Sequence, residues 1–405
     1  MEVMTVSKLE ELIQEFCPDG VECFPLWSVT TWDKRFNSVD RSKQPKVINY
    51  PYLLAKDMFA LKREKGNVFL LSTGEETGWT TEELAGDYLC EGEVVTIPWG
   101  KSRKVTEVMK YYRGKFVTAD NRIATSTDTS QLMNRYLYYW MMNQGDTIDS
   151  FYRGSGLKHP SMKDILDMRI PIPPLPVQRE IVRILDSFTE LTAELTAELT
   201  AELTARKKQY AYYRDTLFTF TSEIVFKTLP EISENCDRQR RPITKGNRQI
   251  GVYPYYGASG VVDHVADYIF DGDYLLVSED GANLLARSTP IAFSISGKNW
   301  VNNHAHVLKF NFAELQKYVE IYLNSIDLSK YISGGAQPKL NQDNLNRIPI
   351  PVPSDDEVKR IVGVLTRFDT LCNDLTSGLP AEIEARQKQY EYYRDKLLTF
   401  KEASV

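Results

Sequence analysis

The sequence predicts an α+β protein in which two globular domains are separated by two long antiparallel coiled-coil helices, the whole forming a pseudo-two-fold repeat. Three observations lead there. The segment IPIPPLPVQREIVRILDSFTEL from Ile170 returns as IPIPVPSDDEVKRIVGVLTRFDTL from Ile348, and RKKQYAYYRDTLFTF from Arg206 returns as RQKQYEYYRDKLLTF from Arg386. Each copy carries one apolar stripe at helical spacing. Between the copies lie short β-rich runs broken by Gly, Asn and Asp.

The stripes fix the helices. Apolar residues fall at Ile181, Ile184, Phe188, Leu191, Leu195, Leu199, Leu203, Tyr210, Tyr213 and Leu217. They recur at Ile361, Val364, Phe368, Leu371, Leu375, Leu379, Ile383, Tyr390, Tyr393 and Leu397, every pair offset by 180. Steps of three and four change to repeated fours, a stutter in a heptad pattern. Each helix would run about 40 residues, or roughly 60 Å. A globular segment separates the two in sequence, so they are expected to pair antiparallel. Residues 192–203 are three copies of TAEL, a plain helical spacer whose length is expected to carry the message. Gly378 and Pro380 predict a kink or break near Ser377–Pro380, since proline interrupts a helix interior but suits a first turn.

The remaining chain divides accordingly: an N-terminal helical segment over 1–19, globular domains over 20–165 and 223–345, and helical spacers over 166–222 and 346–405. In the first segment Ser7 and Glu10 have capping-box spacing. Expected strands include EVVTIPW, KFVTAD, YLLVSED, PIAFSI and HVLKF; QLMNRYLYYWMMN and AELQKYVEIYLNSI are expected helices. A parallel between GSGLKHPSMKDIL, from Gly154, and SGGAQPKLNQDNL, from Ser333, extends the repeat into the end of each globular domain.

Composition excludes several classes. No apolar run approaches the roughly 20 residues of a membrane span. The acidic, helix-like start does not resemble a secretory signal, and five dispersed cysteines without a C-x-x-C pair read as reduced thiols in the cytoplasm. No G-x-x-x-x-G-K-[ST] loop, G-x-S-x-G elbow, methylase tetrapeptide or Gly-rich cofactor loop is found, so neither cofactor nor catalytic residues are expected in this chain. Asn303-His304-Ala305-His306 could hold a metal only with Asp or Glu from elsewhere; hydrogen bonding or nucleic-acid contact is the expected role.

The net charge of −6 runs against a nucleic-acid binder, but it is uneven. In the first domain a strand runs into Lys101, Ser102, Arg103 and Lys104, with Arg113, Lys115, Asn121, Arg122 and Lys158 as further candidates for phosphate or guanine contact. In the second, Tyr256, Ser259, Glu279, Asp280, Asn283, Asn303, His304, Gln337 and Lys339 put aromatics, amides and carboxylates among glycines, chemistry suited to base edges. The competing reading for either set is a solvated face or simple turns.

The duplicated IPIP…K-x-QY-x-YYRD segment, the TAEL copies and the paired unlike domains resemble the specificity subunit of type I restriction-modification enzymes, nearest the subfamily called type IC. The resemblance implies a noncatalytic subunit reading a split, asymmetric target in double-stranded DNA. It implies two methyltransferase subunits and two ATP-driven restriction subunits as partners, which would carry S-adenosylmethionine, ATP and magnesium. Leu191, Leu195, Leu199, Leu203, Tyr210, Tyr213, Leu375, Ile383, Tyr390 and Tyr393 would form the spacer and docking stripe. A protein-binding coiled-coil scaffold and an enzyme with an unrecognised site are the alternatives.

Overall fold

The computed structural model describes residues 2–72, 77–101, 103–119, 122–220, 224–334, 337–374 and 377–403, with the backbone alone for 2–7. The chain forms two compact units: residues 1–197 with 384–405, and residues 198–383. The division cuts both repeat helices, so unit 1 is built from two separate stretches of sequence and unit 2 from one.

Unit 1 holds strands β1 (Cys23–Pro25), β2 (Thr30–Trp32), β3 (Val68–Leu71), β4 (Trp79–Thr80), β5 (Cys90–Ile97), β6 (Lys110–Thr118), β7 (Arg122–Ser126), β8 (Tyr152–Arg153), β9 (His159–Pro160) and β10 (Arg169–Pro171). Six of them make one sheet in the order β2-β7-β5-β6-β3-β4. Of EVVTIPW the first five residues lie in β5, and of KFVTAD the first four end β6, with Asp120 outside the described residues; the two strands pair antiparallel from Cys90↔Phe116 to Thr96↔Lys110. β5 is buried from Val94 onward because helix Asn134–Asn143 covers it, with Leu137 and Met141 in the same core. The N-terminal helix begins at Glu2, so Ser7 lies in its interior and is not its N-cap, contrary to the capping-box expectation. A start six residues before the expected Lys8 simply leaves the Ser7/Glu10 spacing without a helix end to serve.

Unit 2 holds β11 (Val225–Lys227), β12 (Ser233–Asn235), β13 (Ile250–Gly257), β14 (Gly260–Val265), β15 (Phe270–Asp271), β16 (Tyr274–Ser278), β17 (Ala292–Ile295), β18 (Lys298–Val301), β19 (Ala305–Phe310) and β20 (Ile350–Val352). They form two four-stranded sheets, β12-β19-β16-β17 and β14-β13-β18-β15. All five residues of β16 are buried, as a strand lying between β17 and β19 and under helix Ala313–Ser325 should be.

Beneath these unlike sheets the repeat is plain. β1 pairs antiparallel with β10, and β11 with β20. The Tyr136 hydroxyl donates to the Pro171 carbonyl at 3.0 Å, and Tyr318 donates to Pro351 at 2.7 Å. The first repeat helix is unbroken over Leu175–Leu217. Its counterpart is Asp355–Asn373 followed by Leu379–Leu398, which realises the expected break. Gly378 makes the junction possible: a Cβ there would sit 2.7 Å from the carbonyl oxygens of both Thr370 and Asp374.

Within unit 1, Phe188 meets Tyr393 (centroids 5.7 Å) and Thr189 hydrogen-bonds Tyr390 (3.0 Å), so the chain directions oppose. Within unit 2 the equivalent contact is Tyr213 on Phe368, at 5.5 Å. Each core is therefore closed by the tail of the other repeat. Leu398, 3% exposed, joins the core of unit 1 with Leu397 and Phe400 against it, while Leu217 and Phe218 pack on the core of unit 2. Of the remaining stripe residues, Leu195, Leu199, Leu203, Tyr210 and Ile383 are half-buried and Leu191 is exposed; Leu375 lies outside the described residues.

Candidate nucleic-acid interface

Both units gather their loops in the same way. In each unit a central strand exits its sheet into a loop that bridges to the Gly-rich segment before the repeated short helix, Met162–Leu166 or Gln342–Asn346. In unit 1 that bridge is Lys101↔Lys158; in unit 2 it is Asp280↔Lys339. The sequence parallel between the two Gly-rich segments thus marks one structural position that carries different chemistry.

In unit 1, β5 leaves the sheet at Ile97 and runs through Pro98, Trp99 and Gly100. Trp99 is 46% exposed and packs on His159, centroids 4.3 Å apart. Leu157 lies so close that a Cβ on Gly100 would fall 2.7 Å from it. Lys101 turns its side chain inward. Its ammonium pairs with Asp149 and sits 4.7 Å above the Tyr152 ring, and its side chain is 9% exposed. Asp149 also accepts from the Val105 N–H at 2.9 Å, so Lys101 and Asp149 hold the loop against the start of helix Val105–Val108. Arg103, Lys104, Lys158 and His159 are exposed on the same loops. Arg113 and Lys115 are not brought to this rim: they sit on β6 opposite Glu93 and Glu91, well back from the β5 exit, and Lys115 pairs with Glu82 at 2.7 Å. Ser102 and Asn121 lie outside the described residues.

Arg122 begins β7 beside that exit. Its guanidinium lies 5.5 Å from the Phe36 ring, and among the described residues Nε and Nη1, which are buried, find no hydrogen-bond partner, nor does Oδ1 of Asp33. Burial pushes the Asp33 carboxyl up to about 6, against the pull of Lys34 and Arg122, and burial lowers Arg122. A carboxyl whose folded pKa exceeds its unfolded value contributes stability below pH 3.8 that is lost as pH rises through about 6. Urea unfolding of unit 1 should therefore weaken by about 3 kcal/mol from below pH 3.8 to above about 6, the loss falling between those two values, and Asp33→Asn should remove that contribution. Equal slopes in parent and variant would show that Asp33 does not titrate in this window.

In unit 2 the rim is the Ala258–Ser259 hairpin tip, the β16 exit at Glu279–Gly281, the Asn302–His304 turn and residues 337–339. The pieces interlock through the backbone. Glu279 N–H donates to the His304 carbonyl (2.9 Å), Asn302 N–H to Tyr256 (3.0 Å), and Gly281 N–H to Pro338 (3.1 Å). Gly257 permits the hairpin's approach, since a Cβ there would stand 3.3 Å from the Asn302 amide. Beneath the rim, His306 is 1% exposed and lies 2.6 Å from an Asp237 oxygen and 2.8 Å from the Leu340 carbonyl. Burial would raise Asp237, but hydrogen bonds from His306 and Val307 together with Arg240 leave it below the usual carboxylate range.

The candidates divide on this evidence of placement. Glu279 accepts from Arg240 at 2.7 Å and pairs with Lys339 at 3.3 Å, so its carboxylate is committed to the framework. Asn283 spends its amide on Ser288 and Thr289. Tyr256 is half-buried near Phe293. Ser259, Asn303, Gln337 and His304 are exposed, and Asp280 pairs with His304 at 2.9 Å. Among the described residues no group of three His, Cys, Asp or Glu has metal-site geometry. Sequence reasoning missed Asp33, Trp99 and His159, which no motif flags; only the fold carries Asp33 from β2 to Arg122 on β7.

Two unlike sheet-based domains on a repeated helical frame, each ending in a polar loop rim, define a two-module recognition protein. The family model described as the type I restriction modification DNA specificity domain matches residues 46–205 and 221–385, and the chain belongs to that family. It is 34% identical to the EcoR124I/EcoR124II specificity subunit of Escherichia coli over 69% of this chain and 74% of that one. It is 32% identical to a putative type I restriction enzyme specificity subunit of Haemophilus influenzae, over 79% and 86%. The crystal structure of a type I S subunit from M. genitalium has the same fold, with TM-score 0.53 at 17% identity, covering 93% of this chain and 96% of that one. Among the described residues no helix is long and apolar enough to cross a membrane.

Proposed function

We infer that this chain is the DNA sequence-specificity subunit of a type I restriction-modification complex, nearest the type IC subfamily. Each unit reads one half of a split, asymmetric target in double-stranded DNA through its loop rim. The repeated helices hold two methyltransferase subunits, to which two restriction subunits add, and those partners carry S-adenosylmethionine, ATP and magnesium. The observation that supports this reading is the repeated frame itself: identical contacts such as Tyr136–Pro171 and Tyr318–Pro351 support rims of opposite chemistry. A reader of two different half-sites needs that combination of sameness and difference.

The chain is proposed to perform no covalent step. The test mixes purified chain, S-adenosylmethionine and DNA, alone and with its modification subunits. Methyl transfer is expected only in the mixture, at a motif with two defined halves and an undefined gap; transfer by the isolated chain refutes the noncatalytic role. Within unit 1, Lys104→Ala should weaken DNA binding equally on all sequences and lower the salt slope by about 1. Lys101→Ala should instead lower stability, since it strands the Asp149 carboxylate. Salt-dependent binding that changes for Lys101→Ala and not for Lys104→Ala would reverse these assignments.

A further inference from the structure

Resting on the specificity reading above, we propose that Asp280 and His304 act together as an acceptor pair that reads an exocyclic amino group, adenine N6 or cytosine N4, in the half-site served by unit 2. The argument starts from the hydrogen-bond inventory. His304 Nδ1 lies 3.0 Å from Oδ1 and 2.9 Å from Oδ2 of Asp280. An ionised carboxylate only accepts, so the ring proton in that contact is on Nδ1; in the ring that carries this one proton, Nε2 presents its lone pair. The pair then offers two acceptors, one on the carboxylate and one on the ring. Their side chains are 32% and 50% exposed, on a rim whose other carboxylate, Glu279, is already taken by Arg240 and Lys339.

Such a pair discriminates by what it rejects as much as by what it binds. In the major groove adenine N6 and cytosine N4 are donors, whereas guanine N7 and O6 and thymine O4 are acceptors. Two acceptors facing the latter would be desolvated against further acceptors, with no donor for the ring nitrogen or for the remaining lone pairs of the carboxylate. A carboxylate beside a phosphate backbone is also unfavourable unless it is aimed at a donor, which makes its position here informative. The equivalent exit in unit 1 has Lys101 where unit 2 has Asp280, and continues into Arg103 and Lys104, all donors. The two rims therefore differ in sign at one structural position. The backbone frame under Asp280 is fixed by Glu279 N–H to His304 O and by Leu340 N–H to Glu279 O at 2.7 Å, which holds the pair at a set height on the rim.

The experiment uses the chain assembled with its modification subunits, comparing parent, Asp280→Asn and His304→Gln. The split motif is first mapped by methylation of random DNA pools. Each adenine or cytosine of the second half-site is then replaced by an analogue lacking the amino group, purine or pyrimidin-2-one. The parent should lose about 5- to 150-fold in binding at one such position. Asp280→Asn should be indifferent to the same replacement and relaxed at that base pair, with the first half-site unchanged. That unchanged half-site is the control for folding and assembly, and His304→Gln should show a smaller loss at the same base pair. Asp280→Asn that keeps the parental motif and the parental sensitivity to every analogue overturns the pair while leaving the specificity reading intact. A parent complex that selects no split motif overturns both.

Discussion

Deleting Thr192–Leu195 should shorten the gap between the two half-sites by one base pair while leaving both halves of the motif as they were. The first repeat helix is continuous from Leu175 to Leu217, so removing one TAEL copy takes out a full four residues without a cap or break to absorb the loss. Four residues are about 6 Å of helix and about 400° of turn, a net rotation of roughly 40°. Successive base pairs rise about 3.4 Å and turn about 34–36°. Rotation thus matches one base pair, and translation lies between one and two. The break between Asn373 and Leu379 gives the second helix a place to adjust, which favours the smaller step. Genome-wide mapping of methylated sites in a deletant checks this. A fully active deletant with the parental gap would show that helix length does not set the spacing.

A second large effect should appear in the wrong half of the sequence. Leu398 lies at the end of the second repeat yet is 3% exposed in the core of unit 1. Leu398→Ala should cost about 2–5 kcal/mol, the usual range for a buried leucine. For a unit of this size that lowers its melting temperature by roughly 5–15 °C. The loss should be confined to unit 1. Hydrogen exchange followed by peptide would show faster exchange over β5, β6 and helix Asn134–Asn143, with β16 and β19 unaffected. Faster exchange in β16 and β19 instead would mean that each helix tail serves its own repeat.

The helical frame was legible in the sequence because its signal is periodic and duplicated. Phe188 and Phe368 announce themselves as equivalent, and the structure gives them equivalent partners in Tyr393 and Tyr213. The break at Gly378 followed from residue chemistry alone. β5 and β16 were legible as apolar runs, though short strands such as β8 and β9 were not, since two residues carry no period. The rims were legible only as lists. Lys101 reads in sequence like Arg103 and Lys104, and nothing local reveals that Asp149, 48 residues on, takes its charge. Arg113 and Lys115 look like part of the same basic cluster, but antiparallel pairing carries them down β6 to Glu93 and Glu91. Long-range pairing decides which side chains stand on a rim, and one sequence does not state it.

The ladders β1–β10 and β11–β20 bear on how such a protein can vary. Cys23 stands opposite Pro171, and Val225 opposite Val352, so the segment between the strands of each ladder enters and leaves through one narrow, two-stranded neck. Genetic exchange with both joints inside the coding sequence of one neck would transplant a whole recognition module. Its two ends would remain at a fixed short distance, whatever the donor segment's length. The host chain would notice whether three residue pairs can still zip together and whether the segment still presents the side chains that pack on the helical frame, such as Tyr136 and Tyr318. Modules of quite different size that keep those contacts could therefore be traded without redesigning the helices that carry them.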